Sequence, residues 1–183
     1  MWEIAELADE AAASGVNHVV ITGGEPLLFD GVCELTARLD SQGQIITIET
    51  AGTHYQSVAC HLLSLSPKLS HSAPPVETPG DWHRRHEETR LNLQAMTQLI
   101  QEHPHQIKFV VDPEGERDDL AEIIELLARL PGVSPEKVLL MAEGRDAETL
   151  HRRERLLAPE CIKRGWRLSP RYQIDLFGDT KGT

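Results

Sequence analysis

Apolar positions along the chain switch repeatedly between a helical and a strand spacing. Ile4, Leu7 and Ala11 share one face of a helical pattern over residues 2–13, and Gly15 follows as a C-cap. His18 to Ile21 is a short β-branched run that predicts a buried strand. Val32, Leu35 and Leu39 return to helical spacing over residues 30–42, closed by Gly43. "QIITI" at 44–48 and Leu62 to Leu65 predict the second and third strands. Residues 69–85 carry prolines, serines and histidines and predict a loop, and residues 87–101 predict one helix. "IKFVV" at 107–111 is the fourth strand. A helix over 119–130 carries the stripe Leu120, Ile123, Ile124, Leu127 and Leu130, with Asp119 and Glu122 placed as a capping box. A strand at 138–141, a helix at 146–157 and a final strand region at 166–177 complete the series.

This alternation predicts an α/β fold in one domain: a parallel sheet with right-handed crossovers, open or partly closed as a barrel. Such folds bind ligands at the C-terminal ends of their strands. Four notable segments fall there. Thr22-Gly23-Gly24-Glu25-Pro26 follows the first strand and Glu49-Thr50-Ala51-Gly52 the second. Ser66-Pro67-Lys68 follows the third, and Met141-Ala142-Glu143-Gly144 ends the fifth.

Charge and cysteine usage narrow the partners. A net charge of -11 argues against non-specific binding to nucleic acid or acidic membranes and favours a small ligand or a protein partner. No apolar run reaches the length of a membrane span, and no signal-peptide pattern opens the chain. Cys33, Cys60 and Cys161 are too few and too widely spaced for a disulfide framework, so the chain reads as cytoplasmic. They match no local metal motif. His83 with His86, and His103 with His105, lack a third ligand at metal spacing and lie in stretches that read as solvated loop. The acidic run "EGERDDLAEIIE" reads as a solvated helix face.

The strand-end segments carry the candidate chemistry. Gly23 and Gly24 have no Cβ, so a ligand can approach their backbone closely, and Glu25 beside them is an acceptor for an ammonium group. Glu49 and Thr50 end an apolar strand, where a carboxylate suits the polar edge of a heterocycle. Ser66 and Lys68 offer a hydroxyl and an ammonium to a ribose or a carboxylate. Taken singly, each segment fits an ordinary turn, a satisfied acid or a solvated loop equally well.

Together they are more specific. "VVITGGEPLL", "ITIETAGT" and "LSLSPK", with "IKFVVD", "VLLMAEG" and "RGWRLSPRYQIDLFGDTKGT", resemble the 7-carboxy-7-deazaguanine synthase family of radical S-adenosylmethionine enzymes. The resemblance covers nearly the whole chain and implies an incomplete (β/α) barrel, usually a homodimer. It implies conversion of 6-carboxy-5,6,7,8-tetrahydropterin to 7-carboxy-7-deazaguanine, with loss of ammonia, toward queuosine and other 7-deazapurines. It further implies S-adenosylmethionine, a [4Fe-4S] cluster that reduces it, Mg2+ and a flavodoxin-type reductant. Carried over by position, Gly23, Gly24 and Glu25 would hold the amino end of S-adenosylmethionine. Ser66, Pro67 and Lys68 would contact the same cofactor, and Ala142 and Glu143 would line its adenine. Thr22, Glu49 and Thr50 would face the pterin, with Gln173 and the terminal Thr183 closing over it.

The chain departs from that pattern at its start. The family's first strand, its Cys-x3-Cys-x2-Cys loop and the magnesium-binding threonine beside it have no counterpart, and Cys33 reads as a small buried residue within a helix. Met1 falls where the helix before the family's second strand is expected. This is the expectation for a chain that begins late, inactive alone and with an exposed sheet edge. Two other readings stand beside it: a cluster-free pterin- or nucleoside-binding relative, and a radical enzyme of different substrate. Ala51, Ala142 and Gln173 replace the more usual Asn, Pro and His, which bears on substrate contact.

Overall fold

A computed structural model describes residues 3–75, 77–78 and 80–180. Its helices are α1 (Ile4–Ala13), α2 (Val32–Ser41), α3 (Trp82–Thr89), α4 (Leu93–Glu102), α5 (Asp119–Ala128), α6 (Ala147–Arg164) and α7 (Tyr172–Phe177). Its strands are β1 (His18–Ile21), β2 (Ile45–Thr50), β3 (Leu62–Leu65), β4 (His105–Val111), β5 (Val138–Ala142) and β6 (Arg167–Leu168). The strands follow chain order across one sheet, β1-β2-β3-β4-β5-β6. The pairs β1/β2, β2/β3, β4/β5 and β5/β6 are parallel. A parallel neighbour needs a crossover, and the helices supply most of them.

The chain divides into two compact units, Met1–Ser66 with Asn92–Gln106, and Pro67–Leu91 with Ile107–Thr183. The first buries Ala8, Leu39, Ile46, Ile48, Leu63, Leu65, Met96 and Leu99. The second buries Ile107, Phe109, Val111, Ile123, Leu140, Leu150 and Leu157. Each buried aliphatic side chain contributes about 2 kcal/mol. Helix ends are set by local chemistry. The Asn92 side chain accepts from Ala95 N at 3.1 Å to start α4, and Asp146 accepts from Thr149 N at 2.8 Å to start α6.

Several expectations are corrected. The helix read over 87–101 is two helices, because Asn92 caps a new one after the Arg90–Leu91 break. The loop read over 69–85 holds a 3-10 turn at Ser70–Ser72 and the start of α3. The capping box at Asp119 and Glu122 does not form. Asp118 caps α5 through Ala121 N at 3.0 Å, while Asp119 is buried against His71 and Glu122 pairs with Arg90 at 2.6 Å. The acidic run is therefore only partly a solvated face. The last helix runs on past Pro159 to Arg164, held by buried Leu157 and Cys161. Region 166–177 is a two-residue strand followed by α7.

The histidine stretches are not solvated loop either, since His83 and His86 lie on α3 and His105 is buried at the start of β4. Cys33 is half-buried, and its thiol donates to Gln56 Oε1 at 3.1 Å.

The strand read as buried is an edge. Among the described residues β1 pairs only with β2, and Val20 is 52% exposed. A groove of about 480 Å3 runs beside it, lined by Leu7, Ala11, Val19, Val20, Leu35 and Leu39. An apolar, unpaired edge invites association with other chains. Val20→Lys should leave the free energy of unfolding in urea within about 0.5 kcal/mol of wild type. It should also reduce concentration-dependent scattering; unchanged scattering would clear this edge as the cause of self-association.

Candidate functional site

In the first unit the parallel register pairs Ile21 with Ile48 and Thr50 with Leu65, so β1, β2 and β3 end on the same side. Gly23 and Gly24 have φ of 102° and 53°, and nothing lies within 4 Å of where a Cβ would stand on either. This left-handed backbone faces open space, which a side chain would strain and fill. Ser66 N donates to Thr50 O at 2.7 Å, so the third strand end is tied to the second.

Glu25 is the hub between the first two strand ends. Its Oε1 accepts from Leu27 N at 3.2 Å and from Thr50 Oγ1 at 2.6 Å. Its Oε2 accepts from Ala51 N at 3.0 Å and from Thr53 Oγ1 at 3.2 Å. The Thr50 hydroxyl also accepts from Gly52 N at 2.9 Å. Outside this knot, Thr22 Oγ1 donates to Glu49 Oε2 at 3.3 Å, giving a polar pair that is half-buried at the acid and exposed at the hydroxyl. Thr22, Glu25, Glu49, Thr50 and Ser66 thus form two hydrogen-bonded groups at one end of the unit.

Sequence reasoning missed Thr53 and Asn92. Asn92 Nδ2 donates to Thr53 O at 3.0 Å while its Oδ1 caps α4. The available signal was an Asn just before a helical pattern, the ordinary mark of an N-cap.

In the second unit Pro67 is buried and Lys68 exposed, and the Lys68 carbonyl accepts from Arg90 Nη1 at 3.0 Å. Ala142 is buried at the end of β5, and Glu143 N donates to Val111 O at 2.9 Å. The Glu143 carboxylate pairs with Arg153 on α6, whose guanidinium also meets Asp112 at 2.9 Å and Glu114 at 3.0 Å. One cation gathers three carboxylates, a grouping with no sequence signal. Hydrogen bonds from Arg152 and Arg153 pull the Glu114 carboxyl down to about 2. Gln173 is exposed on α7, and Thr183 lies outside the described residues.

A separate cavity of about 350 Å3 in this unit is lined by Ser70, His71, Pro74, His83, Asp112 and Arg117, among others. His71 Nδ1 donates to the buried Asp119 carboxylate there at 3.0 Å.

The three cysteines are free thiols. Cys161 is buried in α6, where desolvation pushes its thiol up, and desolvation does the same to Cys60. A thiol held protonated is a poor iron ligand. Among the described residues no group of three His, Cys, Asp or Glu side chains is placed to hold a metal ion.

Parallel strands in sequential order, with polar residues at their C-terminal ends, define an incomplete (β/α) barrel protein. No protein-family profile matches the chain. It is 42% identical to the 7-carboxy-7-deazaguanine synthase of Rhodopirellula baltica, over 98% of this chain and 69% of that one. It is 35% identical to the enzyme of that name from Halobacterium salinarum, over 97% of this chain and 71% of that one. It is similar to the crystal structure of QueE from Escherichia coli, with a TM-score of 0.62 and 30% identity, covering 93% of this chain and 64% of that one. The chain belongs to the 7-carboxy-7-deazaguanine synthase family, and spans about two thirds of the length of these relatives.

Gly52 has φ of 74°, and a Cβ there would stand 2.6 Å from Leu65 Cδ1 and 2.9 Å from Met96 Cγ. Gly52→Ala should cost about 3 kcal/mol in urea unfolding. In the second unit, the folded-state carboxyl of Glu114 lies below its unfolded value of 4.5. Its stabilisation is therefore present above that value and is lost as pH falls through about 2. Melting temperatures of Glu114→Gln should fall less steeply than wild type across that acid window, and match its slope near neutrality.

Proposed function

We propose that this chain is a single partial-barrel domain of a radical S-adenosylmethionine lyase. It positions S-adenosylmethionine and 6-carboxy-5,6,7,8-tetrahydropterin for conversion to 7-carboxy-7-deazaguanine. The observation that carries the reading is the open, left-handed Gly23-Gly24 backbone beside the Glu49–Thr50 strand end. The 42% identity over nearly the whole chain supports it.

In this reading Gly23, Gly24 and Glu25 form the cradle for the amino end of the cofactor. Backbone carbonyls there would accept from the cofactor's ammonium, and N–H groups would donate to its carboxylate, in charge-assisted hydrogen bonds. Ser66, Pro67 and Lys68 serve the same cofactor, and Ala142 and Glu143 its adenine. Thr22, Glu49 and Thr50 face the pterin, whose N–H edge suits the Glu49 carboxylate, with Gln173 and Thr183 closing the substrate side. The cofactor, once bound and reduced, supplies the radical that starts ring contraction. The protein orients both molecules and keeps water out.

The residues present fit the S-adenosylmethionine end of this chemistry and do not fit a [4Fe-4S] cluster. Cys33, Cys60 and Cys161 are dispersed, and one is buried. No step is therefore assigned to a cluster held by this chain, and the 183 residues alone are expected to be inactive. In the family pattern a [4Fe-4S] cluster, Mg2+ and a flavodoxin-type reductant take part, and none of the site residues named above is assigned to hold them. The same reading makes the protein a cytoplasmic homodimer without nucleic-acid or membrane partners, acting in the pathway to queuosine in tRNA.

Calorimetric titration tests the reading on the chain itself. S-adenosylhomocysteine and 6-carboxypterin should each bind, and Gly24→Val should weaken the first by roughly a hundredfold, the loss expected when a side chain fills a close backbone contact. Failure of both ligands to bind wild type would remove the proposal. Binding of the pterin alone would favour a cluster-free pterin-binding relative.

A further inference from the structure

A carboxylate has two oxygens and about four lone-pair sites. Those of Glu25 meet four donors, two on each oxygen: Leu27 N and Thr50 Oγ1 on Oε1, Ala51 N and Thr53 Oγ1 on Oε2. No site remains for a ligand's ammonium unless an internal bond breaks. The residue is also half-buried, so an internal donor given up in exchange would have to find another acceptor.

The four donors come from both sides of the cradle. Leu27 lies just after Gly23-Gly24, in the 3-10 turn that Glu25 caps. Thr50, Ala51 and Thr53 come from the end of β2 and the turn beyond it. That turn is pinned in its own right, because Asn92 Nδ2 holds Thr53 O at 3.0 Å and Gly52 N donates to Thr50 Oγ1 at 2.9 Å. Gly23 and Gly24, by contrast, have open space in front of them and conformations that only glycine adopts easily. A flexible pair of glycines needs an external constraint to hold one shape.

We propose that Glu25 is a positioning residue: its saturated carboxylate braces the Gly23-Gly24 backbone against the 50–53 turn, and Thr53 belongs to the same brace. The ligand's ammonium is then met by backbone groups, and Glu25 fixes where those groups stand. This rests on the proposed cofactor reading for the identity of the ligand. The brace itself does not depend on any ligand.

Two measurements on the full chain test it. The first is amide hydrogen exchange without ligand. In Glu25→Gln the side chain turns an NH2 toward donors, so Ala51 N–H should exchange about tenfold faster than in wild type, the factor for one lost hydrogen bond. The Ile48 amide, inside the ladder, should be unchanged. Equal protection of Ala51 in both proteins would overturn the brace whatever the ligand is.

The second is S-adenosylhomocysteine affinity in Thr53→Val, which removes one donor and leaves the carboxylate in place. The brace predicts binding weakened about tenfold, again the loss of one such bond. A Glu25 that gripped the ammonium directly would be freed by this change and would bind as tightly as before or more so. That result sinks the proposal. If wild type does not bind S-adenosylhomocysteine, the cofactor reading fails, and the exchange experiment still decides the brace.

Discussion

A parallel ladder sends every strand out of the sheet in the same direction, and this constraint underlies the candidate site. With Ile21 opposite Ile48 and Thr50 opposite Leu65, the chain leaves β1, β2 and β3 within reach of its own neighbours. Residues far apart in sequence become hydrogen-bonded partners without any long-range interaction having to find them. Glu25 and Thr50 lie 25 positions apart and meet at 2.6 Å because their strands are adjacent and in register. The core positions Ile46, Ile48, Leu63 and Leu65, all fully buried, make that register costly to slip.

Polar groups at the strand ends then sort by whether the fold has already claimed them. Glu25 and the Thr50 hydroxyl are used up internally, the latter by donating to Glu25 and accepting from Gly52. Gly23 and Gly24 keep their backbone facing open space. The Thr22–Glu49 contact, at 3.3 Å, is long and exposed at the hydroxyl, which leaves it easy to exchange for a contact with a substrate. In the second unit Glu143 is committed throughout: its carboxylate and its carbonyl both accept from Arg153, and its N–H donates to Val111 O. Motif residues of identical type therefore play different parts, according to how many donors surround them.

Much of the fold was legible in the sequence, because its signals were local. The β-branched runs at 18–21 and 107–111, the leucine-rich run at 62–65 and the periodic stripe of α5 each declare an element without help from the rest of the chain. Misreadings arose where a single residue or a distant partner decides. Asn92 splits one helical stretch into two. Asp119 was taken for a helix cap because a buried bond to His71, 48 positions away, cannot be seen in the sequence. Val20 looks apolar enough for a core, and only the strand order puts it on an edge. The site segments were legible as a set, whereas the inward turn of the Glu25 carboxylate was not. Its partners Ala51 and Thr53 carry no motif of their own.

The make-up of the first unit has a further consequence, for how the chain folds as it is synthesised. Its segments Met1–Ser66 and Asn92–Gln106 are separated by a stretch that belongs to the other unit. Asn92 and α4 supply the anchor for the 50–53 turn and the buried Met96 and Leu99. A ribosome-bound chain released only as far as β3 has all three of the unit's β-strands that lie before Ser66, but neither that anchor nor that part of the core. The cradle can take its final shape only after residue 106 has emerged, so its formation waits on translation of more than half of these 183 residues.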